Sequence, residues 1–182
     1  MTRAESLLRE LRRYEPFDAV ERQHCRDLIA LLGTGDAGFS RDAFDPGHVT
    51  ASCFVIDPTG GRVLLHRHKR LGRWLQMGGH VEEDEPLIAA ALREAAEESG
   101  LDDLEMLSGI VDVDVHRIPA GKGEPEHRHF DVRYLARTGN PDSITIDAAE
   151  SLDLRWVTLA DAVTLMATEE SRRVIDKIAA AL

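Results

Sequence analysis

Residues 79–101 constrain the fold and the chemistry of this chain more than any other segment. Three glutamates lie there at helical spacing i, i+3 and i+4, so their carboxylates project from one side of a helix: Glu94, Glu97 and Glu98. Apolar residues occupy the adjacent arc and are expected to pack against a core: Ile88, Ala91, Leu92 and Ala95. Pro86 is expected near the first turn of this helix and Gly100 at its C-terminal end.

The negative charge of this segment needs compensation, because like charges four residues apart destabilise a helix. Arg93 is the only basic residue between Glu82 and Glu98, a span that contains seven acidic residues. A solvated acidic surface usually alternates carboxylates with Lys or Arg. The pattern therefore favours a site for a divalent cation with oxygen ligands, Mg²⁺ or Mn²⁺.

The segment resembles the Nudix box, G-x5-E-x7-R-E-U-x-E-E-x-G-U, in which U is an apolar residue. Every fixed position is filled, in the order Gly79, Glu85, Arg93, Glu94, Ala95, Glu97, Glu98, Gly100 and Leu101. The resemblance implies an α+β fold, the Nudix-type α/β/α sandwich with a mixed β-sheet. It also implies a hydrolase that cleaves the phosphoanhydride linkage of a nucleoside diphosphate joined to another group, X.

The resemblance assigns the box helix to metal binding. It implies that Glu97 and Glu98 are the first ligands of Mg²⁺ or Mn²⁺ and that Glu94 is the next. The carbonyl of Gly78 is a further candidate ligand. Two candidates for the general base stay open, Glu94 and Glu150.

The other box residues are expected to position the metal-binding glutamates and the loop before the helix, and not to contact the substrate. Arg93 is predicted to pair with a box glutamate and orient it. Gly79 is predicted to allow a tight turn, and Glu85 to accept hydrogen bonds near the N-terminus of the helix. Glu82 has two interpretations, a residue that reaches the metal cluster or a solvated loop carboxylate.

A basic cluster precedes the box, and its guanidinium and ammonium groups suit phosphate oxygens. Its members are Arg67, Lys69, Arg70 and Arg73. We predict that they bind the substrate; the alternative is a solvated basic hairpin. Trp74 has two interpretations as well, a platform for a base or a core residue.

A second polar pattern lies in the strand predicted over 126–137. Alternation places Phe130, Val132 and Tyr134 on one face and a polar set on the other: His127, His129, Asp131 and Arg133. The preceding strand separates its residues in the same way, with Asp112, Asp114 and His116 on its polar face. If these strands pair, the polar sets converge. We interpret the surface as the wall of a substrate pocket, with His129 as a contact, in preference to a solvent-facing surface or a transition-metal site.

The composition limits the kinds of molecule that the chain is expected to bind. A net charge of −11 disfavours nucleic-acid backbones and anionic membranes. It is compatible with a small-molecule nucleoside diphosphate derivative, because a metal ion inverts the local field. The chain contains no apolar run of membrane-spanning length and no signal-peptide pattern. Cys25 and Cys53 are isolated and are interpreted as buried apolar residues, which favours a cytoplasmic protein.

The chain divides into an N-terminal helical extension, residues 1–45, and a Nudix hydrolase domain, residues 46–182. The extension is predicted as two helices, the second opening at Pro16 and stopping at Gly33. It packs against the domain or against a partner subunit of a homodimer, and both arrangements stay open. In the domain, strands are predicted over 49–56, 62–68, 74–77, 104–118, 126–137 and 154–157, and final helices over 159–167 and 169–181.

Three other functions are also compatible with the resemblance to the Nudix family. A non-catalytic Nudix-fold nucleotide sensor is disfavoured because such proteins often lose box glutamates, and here they are all present. An RNA 5′-end pyrophosphohydrolase is disfavoured by the acidic charge. Isopentenyl diphosphate isomerase needs a catalytic cysteine, and Cys53 lies in an apolar strand pattern. Met77 departs from the family, in which many members have Pro before Gly-Gly.

Overall fold

The central strand, β1 (Gly47–Ile56), is buried at every position. In the computed structural model, which describes residues 1–121 and 123–182, it pairs in parallel with β7 (His127–Arg137) over ten residue pairs. A strand that is covered on both faces is normally apolar throughout. β1 instead carries His48, Thr50 and Ser52 on one face, so that polar groups enter the interior of the protein.

The described residues form one mixed sheet, as predicted, and it has eight strands rather than the six predicted. The central path of the sheet runs β3-β2-β1-β7-β5, while β4 pairs with β1, β6 with β7 and β8 with β2. The strands other than β1 and β7 are β2 (Arg62–His68), β3 (Trp74–Leu75), β4 (Met77–His80), β5 (Glu105–Met106), β6 (Asp112–Ile118) and β8 (Ser151–Thr158). Only the β1–β7 pair is parallel among the described pairings.

Helices cover both faces of this sheet, which confirms the predicted sandwich. On one face lie α1 (Arg3–Leu11), α2 (Ala19–Leu32), a 3₁₀-helix (Gly35–Phe39) and α3 (Leu87–Ser99). On the other face lie α4 (Leu159–Met166) and α5 (Glu169–Ala181). A second 3₁₀-helix, Pro141–Ser143, precedes β8. No helix in the described part of the chain is both long and apolar enough to cross a membrane.

The N-terminal helices pack against the sheet of their own chain. Leu7, Leu11 and Leu28 belong to the same hydrophobic core as Val49 and Val113 on the sheet. The first of the two arrangements considered for these helices, packing against their own domain, is therefore present.

One boundary of the extension differs from its prediction. The second helix begins at Ala19 rather than at Pro16, because the Asp18 side chain accepts a hydrogen bond from the Glu21 amide and caps the first turn.

Two predicted strands are each divided in the structure. The segment 74–77 changes partner at Gln76, because β3 pairs with β2 whereas β4 pairs with β1. The segment 104–118 is broken between β5 and β6. The Leu107 amide donates to the carbonyl of Leu135, and the Val111 amide donates to the carbonyl of Arg133. Four residue steps of this segment therefore lie opposite two residue steps of β7, and the residues between Leu107 and Val111 form a bulge.

A buried carboxylate, Glu21, connects α2 to the neighbouring elements β6 and α5. It accepts hydrogen bonds from the Lys177 ammonium of α5 at 2.6 Å, from the Val113 amide of β6 at 3.1 Å and from the Tyr14 hydroxyl. Burial raises the pKa of Glu21, but hydrogen bonds from Lys177, Tyr14 and the Phe17 amide outweigh burial and lower the pKa to about 2.

This contact predicts a pH-dependent contribution to stability. Because the folded-state pKa lies below the ordinary 4.5, the stabilisation is complete above about pH 4.5 and is lost as the pH falls towards 2. Glu21→Gln should lower the free energy of unfolding by about 3 kcal/mol at pH 7. The difference from the wild type should shrink below pH 4.5 in urea titrations. Glu15→Gln, at an exposed position, is the control, and an equal loss from Glu21→Gln at pH 3 and pH 7 would contradict the assignment.

Candidate functional site

The helix α3 lies close to β1 and β4 because its contact surface is built from small residues. Ala90, Ala91 and Ala95 are buried against the sheet, with Leu87 at the start of the same surface. Ile88 was predicted in this apolar stripe, but it is 41% exposed. The true stripe is rotated by about one residue, because the chain enters the helix from an extended Pro86 and Leu87 takes the first core position.

The helix ends where the sequence predicted. Gly100 adopts φ 73°, the left-handed conformation that glycine tolerates without strain, and its amide bonds to the carbonyl of Ala96.

The three box glutamates lie in different environments along one side of α3. The Glu98 residue is 6% exposed, Glu94 is partly buried and the Glu97 side chain is 59% exposed. The helix therefore presents a gradient, from a carboxylate inside the protein to one in solvent. Such a set leaves an accessible side from which a ligand can approach.

Arg93 is the centre of the contacts around these carboxylates. Its guanidinium donates two hydrogen bonds to Glu85, both at 3.0 Å, one to Glu94 at 2.8 Å and one to Glu97 at 3.2 Å. It also donates to the carbonyl of His80 at 3.0 Å, at the end of β4. The planar fork of arginine suits several fixed acceptors at once. Arg93 thus fixes the box loop to the helix, and the predicted pairing with a box glutamate is present.

Glu98 is the most perturbed acid of the site. It accepts a hydrogen bond from the Gly78 amide at 2.9 Å. Its pKa is raised to about 8, first by burial and then by the negative charges of Glu94, Glu150 and Asp147, against the lowering effect of the Gly78 amide. Removal from water and neighbouring anions both disfavour the charged form.

No positive group balances Glu98 among the described residues. No Lys or Arg there forms an ion pair with it, and its one basic neighbour is His66, whose Nδ1 lies 3.8 Å from the Glu98 carboxylate. Burial lowers the pKa of His66 to about 4, so this ring is neutral at pH 7. The His66 Nδ1 is hydrogen-bonded with Ser151 at 2.7 Å. Among the described residues, Glu98 therefore has no charged basic partner of its own.

Two glycines let the strand pass close to these acids. A Cβ on Gly78 would lie 2.3 Å from the Cβ of Ser52, and one on Gly79 would lie 2.7 Å from the Glu94 carboxylate. Both distances are shorter than real contacts allow. The glycines therefore keep β4 in place against β1 on one side and against the box helix on the other.

The Glu85 side chain holds in place the loop that joins β4 to α3. Glu85 accepts a hydrogen bond from the Glu82 amide at 3.1 Å, in addition to those from Arg93. The hydrogen bond from Arg93 is the main reason that the pKa of Glu85 is lowered. The Glu82 side chain is exposed, and its carbonyl accepts from Arg3 of α1 at 2.9 Å, so the N-terminal helices also contact this loop.

The predicted basic patch lies in the β2–β3 hairpin, next to the loop that carries Glu150. The Lys69 amide donates to the Glu150 carbonyl at 2.8 Å, and the Lys69 ammonium donates to the Ala148 carbonyl at 2.9 Å. The side chains of this patch are exposed: Arg67, Lys69, Arg70 and Arg73. The hairpin therefore brings positive groups beside Glu150, whose negative charge acts on Glu98.

Trp74, for which two interpretations were open, packs against the hydrophobic core beside α4 and α5. The Arg155 guanidinium lies over its ring at 5.1 Å. The arrangement corresponds to the core interpretation rather than to an open platform.

The two polar strand faces converge as the sequence predicted. β6 and β7 pair as an antiparallel hairpin that sets Asp112 opposite Arg133 and His116 opposite His129. Arg133 is buried and forms ion pairs at 3.0–3.1 Å with three carboxylates. These belong to Asp112, Asp114 and Asp131.

The residue pattern of the β6–β7 hairpin predicted only part of this polar surface. Thr50 and Ser52 of β1 both donate to Asp131, at 3.1 and 2.8 Å, and Gln76 donates to Ser52 at 3.2 Å. His48 and His80 join His129 at the far end of the same face. No local pattern marks these residues, because strand register decides which side chains meet.

Comparison with known proteins identifies the fold. A family model described as the NUDIX domain matches residues 46–178. An Ap4A hydrolase from C. elegans, in a binary complex, superposes with a TM-score of 0.60 at 23% identity, covering 72% of this chain and 95% of that one. A NUDIX-family hydrolase from Clostridium perfringens gives 0.53 at 27%, covering 74% and 95%.

A third similar structure is the E. coli dihydroneopterin triphosphate pyrophosphohydrolase, with a TM-score of 0.56 at 20% identity, covering 71% of this chain and 92% of that one. The matches below 25% identity establish the shared fold. A search of curated proteins gave no match.

The contact between Gly79 and Glu94 gives a direct test of the site. In Gly79→Ala the new methyl group must displace the Glu94 carboxylate, which ends a flexible side chain, so the fold should be retained with a small change in Tm. Affinity for Mn²⁺ should fall about 10- to 100-fold, measured by titration calorimetry. Gly109→Ala is the control, because its Cβ would meet no atom within 4 Å. Unchanged Mn²⁺ affinity in Gly79→Ala would contradict the prediction that Glu94 binds the ion.

Proposed function

The chain belongs to the NUDIX family, and on that basis we propose that it is a divalent-metal-dependent hydrolase. It cleaves the phosphoanhydride linkage of a nucleoside diphosphate derivative by attack of water on phosphorus. The observation that carries the proposal is the buried Glu98 carboxylate, which lies among other acids without an ion pair to Lys or Arg in the described residues.

The donor set fits Mg²⁺ or Mn²⁺. These ions prefer carboxylate, carbonyl and water oxygens. Glu94, Glu97 and Glu98 offer carboxylates along one side of α3, and Gly78 offers a backbone carbonyl in the adjacent strand. A cation there would favour the charged form of Glu98, which burial disfavours in its absence. When bound, the ion supplies Lewis-acid polarisation of the phosphoanhydride and neutralises part of its negative charge.

Arg93 positions this set and does not contact the substrate. Its hydrogen bonds hold Glu85, Glu94 and Glu97 together with the end of β4. Loss of such a partner typically weakens metal affinity by about 10- to 100-fold.

We assign the general base to Glu150 rather than to Glu94. Glu94 accepts a hydrogen bond from Arg93, lies against Gly79 and is partly buried. Glu150 is exposed in the loop before β8 and lies near enough for its charge to raise the pKa of Glu98. An exposed carboxylate that is not engaged by Arg93 is available to take a proton from the attacking water.

The hairpin beside Glu150 supplies the phosphate contacts in this proposal. Arginine offers planar donors and lysine a compact charge, and both suit phosphate oxygens. Arg67, Arg70 and Arg73 are the leading candidates, because the Lys69 ammonium already donates to the Ala148 carbonyl. On the opposite face of β1, the polar surface that includes His129 is the candidate contact for another part of the substrate.

The similar structures support the substrate class. Two of the three proteins named above are described as acting on Ap4A and on dihydroneopterin triphosphate, both of which contain phosphoanhydride bonds. Their likeness to this chain does not select the X group. It does define a panel that includes dinucleoside polyphosphates, nucleotide sugars, ADP-ribose, coenzyme A, NADH and triphosphates.

Two alternatives have less support. A nucleotide sensor would not need the complete box, and here Glu85, Arg93 and Glu94 are present and in contact. An isomerase that uses cysteine is disfavoured, because Cys53 is fully buried and burial raises the pKa of its thiol.

The metal ligands are tested by removing one negative charge at a time. Glu97→Gln and Glu98→Gln should each abolish Mg²⁺- or Mn²⁺-dependent turnover of the panel while retaining the far-ultraviolet circular dichroism of the wild type, because the amide is a far weaker ligand. Phosphate release with coupled pyrophosphatase or phosphatase is the measurement. Glu83→Gln, in the exposed box loop, is the matched control and should stay active. Normal rates from both ligand variants would refute the metal site, and binding without turnover by the wild type would favour the sensor.

The assignment of Glu150 has its own test. Glu150→Gln should lower kcat by about 10²- to 10⁴-fold while Mn²⁺ affinity stays within about twofold of the wild type, because a base acts on the water and not on the ion. Asp142→Asn, on the 3₁₀-helix before this loop, is the control. A parallel loss of Mn²⁺ affinity would make Glu150 a ligand instead, and unchanged kcat would return the role to Glu94.

A further inference from the structure

Five of the eight histidines of the chain lie together on the polar face of the sheet, away from the box glutamates of α3. Strand register accounts for the group: His48 of β1 lies beside His129 of β7, which in turn lies beside His116 of β6. His80 of β4 is next to β1, and His127 is two residues from His129. Ring centroids of neighbouring members are 4.8–5.6 Å apart.

Three of these rings converge on one point. One ligand nitrogen each of His48, His80 and His129 lies within 4.8 Å of the other two. Two nitrogens that bind one tetrahedral ion at about 2.1 Å are about 3.4 Å apart. Movement of each ring by about 1 Å, within ordinary side-chain freedom, closes the set on an ion. The Nε2 atoms of His127 and His129 are already 3.3 Å apart.

The hydrogen bonds around the group leave the lone pair of His48 free inside it. His48 Nδ1 lies 3.2 Å from the Ala43 carbonyl and His127 Nδ1 lies 2.8 Å from the Pro125 carbonyl. A carbonyl only accepts, so each Nδ1 carries the proton and each Nε2 has a lone pair. The lone pair of His127 accepts a hydrogen bond from the His129 Nε2–H at 3.3 Å, whereas the lone pair of His48 is free. The His48 Nε2 is buried without a hydrogen-bond partner. Metal-binding histidines are commonly held in this way, with the distal N–H on a backbone carbonyl.

A buried nitrogen without a hydrogen-bond partner is costly, and a cation between the rings would satisfy the lone pair of the His48 Nε2. Burial also disfavours protonation of these rings, because it lowers the pKa of His48, of His80 and of His129.

We propose that His48, His80 and His129 form a transition-metal site of the Zn²⁺ class, distinct from the Mg²⁺ or Mn²⁺ site of the box. Imidazole nitrogen suits Zn²⁺, Co²⁺, Ni²⁺ and Cu²⁺ and is a poor ligand for Mg²⁺. Three protein ligands leave a fourth position for water, for a donor atom of a bound molecule or for His127, whose Nε2 faces the group. The two sites are linked through the backbone, because Arg93 donates to the His80 carbonyl. The proposal does not depend on hydrolase activity.

The test is Zn²⁺ binding to the full-length protein after dialysis against a chelator, measured by competition with a chromophoric chelator. We expect one equivalent to bind to a Glu97→Gln/Glu98→Gln variant and at least one to the wild type, whose box carboxylates also bind Zn²⁺. In the Glu97→Gln/Glu98→Gln background, His129→Ala and His80→Gln should weaken binding at least about tenfold. His24→Gln, a half-buried histidine on α2 outside the group, should leave binding unchanged.

A second measurement keeps the proposal testable if the histidine variants do not fold. X-ray absorption at the zinc edge of the Glu97→Gln/Glu98→Gln variant should report at least three imidazole ligands. A shell made mainly of oxygen would overturn the proposal. So would the absence of stoichiometric Zn²⁺, or binding that the box substitutions abolish and the histidine substitutions spare.

Discussion

The close approach of α3 to the Gly78–Gly79 segment is the contact on which the organisation of the site depends. Alanines on the helix and glycines on the strand keep most of the contact free of large side chains. At this distance Glu98 reaches the Gly78 amide and Arg93 reaches the His80 carbonyl. A larger residue at either glycine would move a carboxylate or the strand, so packing and chemistry share the same constraint.

Charge is distributed unequally on the two sides of β1. On the polar face, buried Arg133 is surrounded by three carboxylates that satisfy it, and Arg173 of α5 adds a hydrogen bond to Asp112 at 2.8 Å. A buried charge that is paired and hydrogen-bonded is tolerated in the interior. Around Glu98 the balance is absent among the described residues. The difference separates a structural ion-pair network from a cluster of acids suited to a cation.

Much of the fold and the acidic part of the site could be predicted locally. Helical spacing placed Glu94, Glu97 and Glu98 along one side of a helix, and strand alternation separated Arg133 from Tyr134. Errors came where a long-range partner decides the outcome. Ile88 has the right spacing for the core but is exposed, because the sheet meets α3 about one residue further round. The break at Gln76 follows from a change of strand partner, which no local pattern records.

By itself the sequence determined the box helix, its acid spacing and the one arginine able to contact those acids, because i, i+3 and i+4 neighbours are set by helix geometry alone. It also determined which residues of each strand share a face. Only the tertiary structure decided how deeply Glu98 is buried and that His48, His80 and His129 meet. Those three residues lie up to 81 positions apart, and their meeting depends on the register of β1 with β4 and β7. Strand register is a property of the packed sheet, since a slip of one residue turns every side chain to the opposite face.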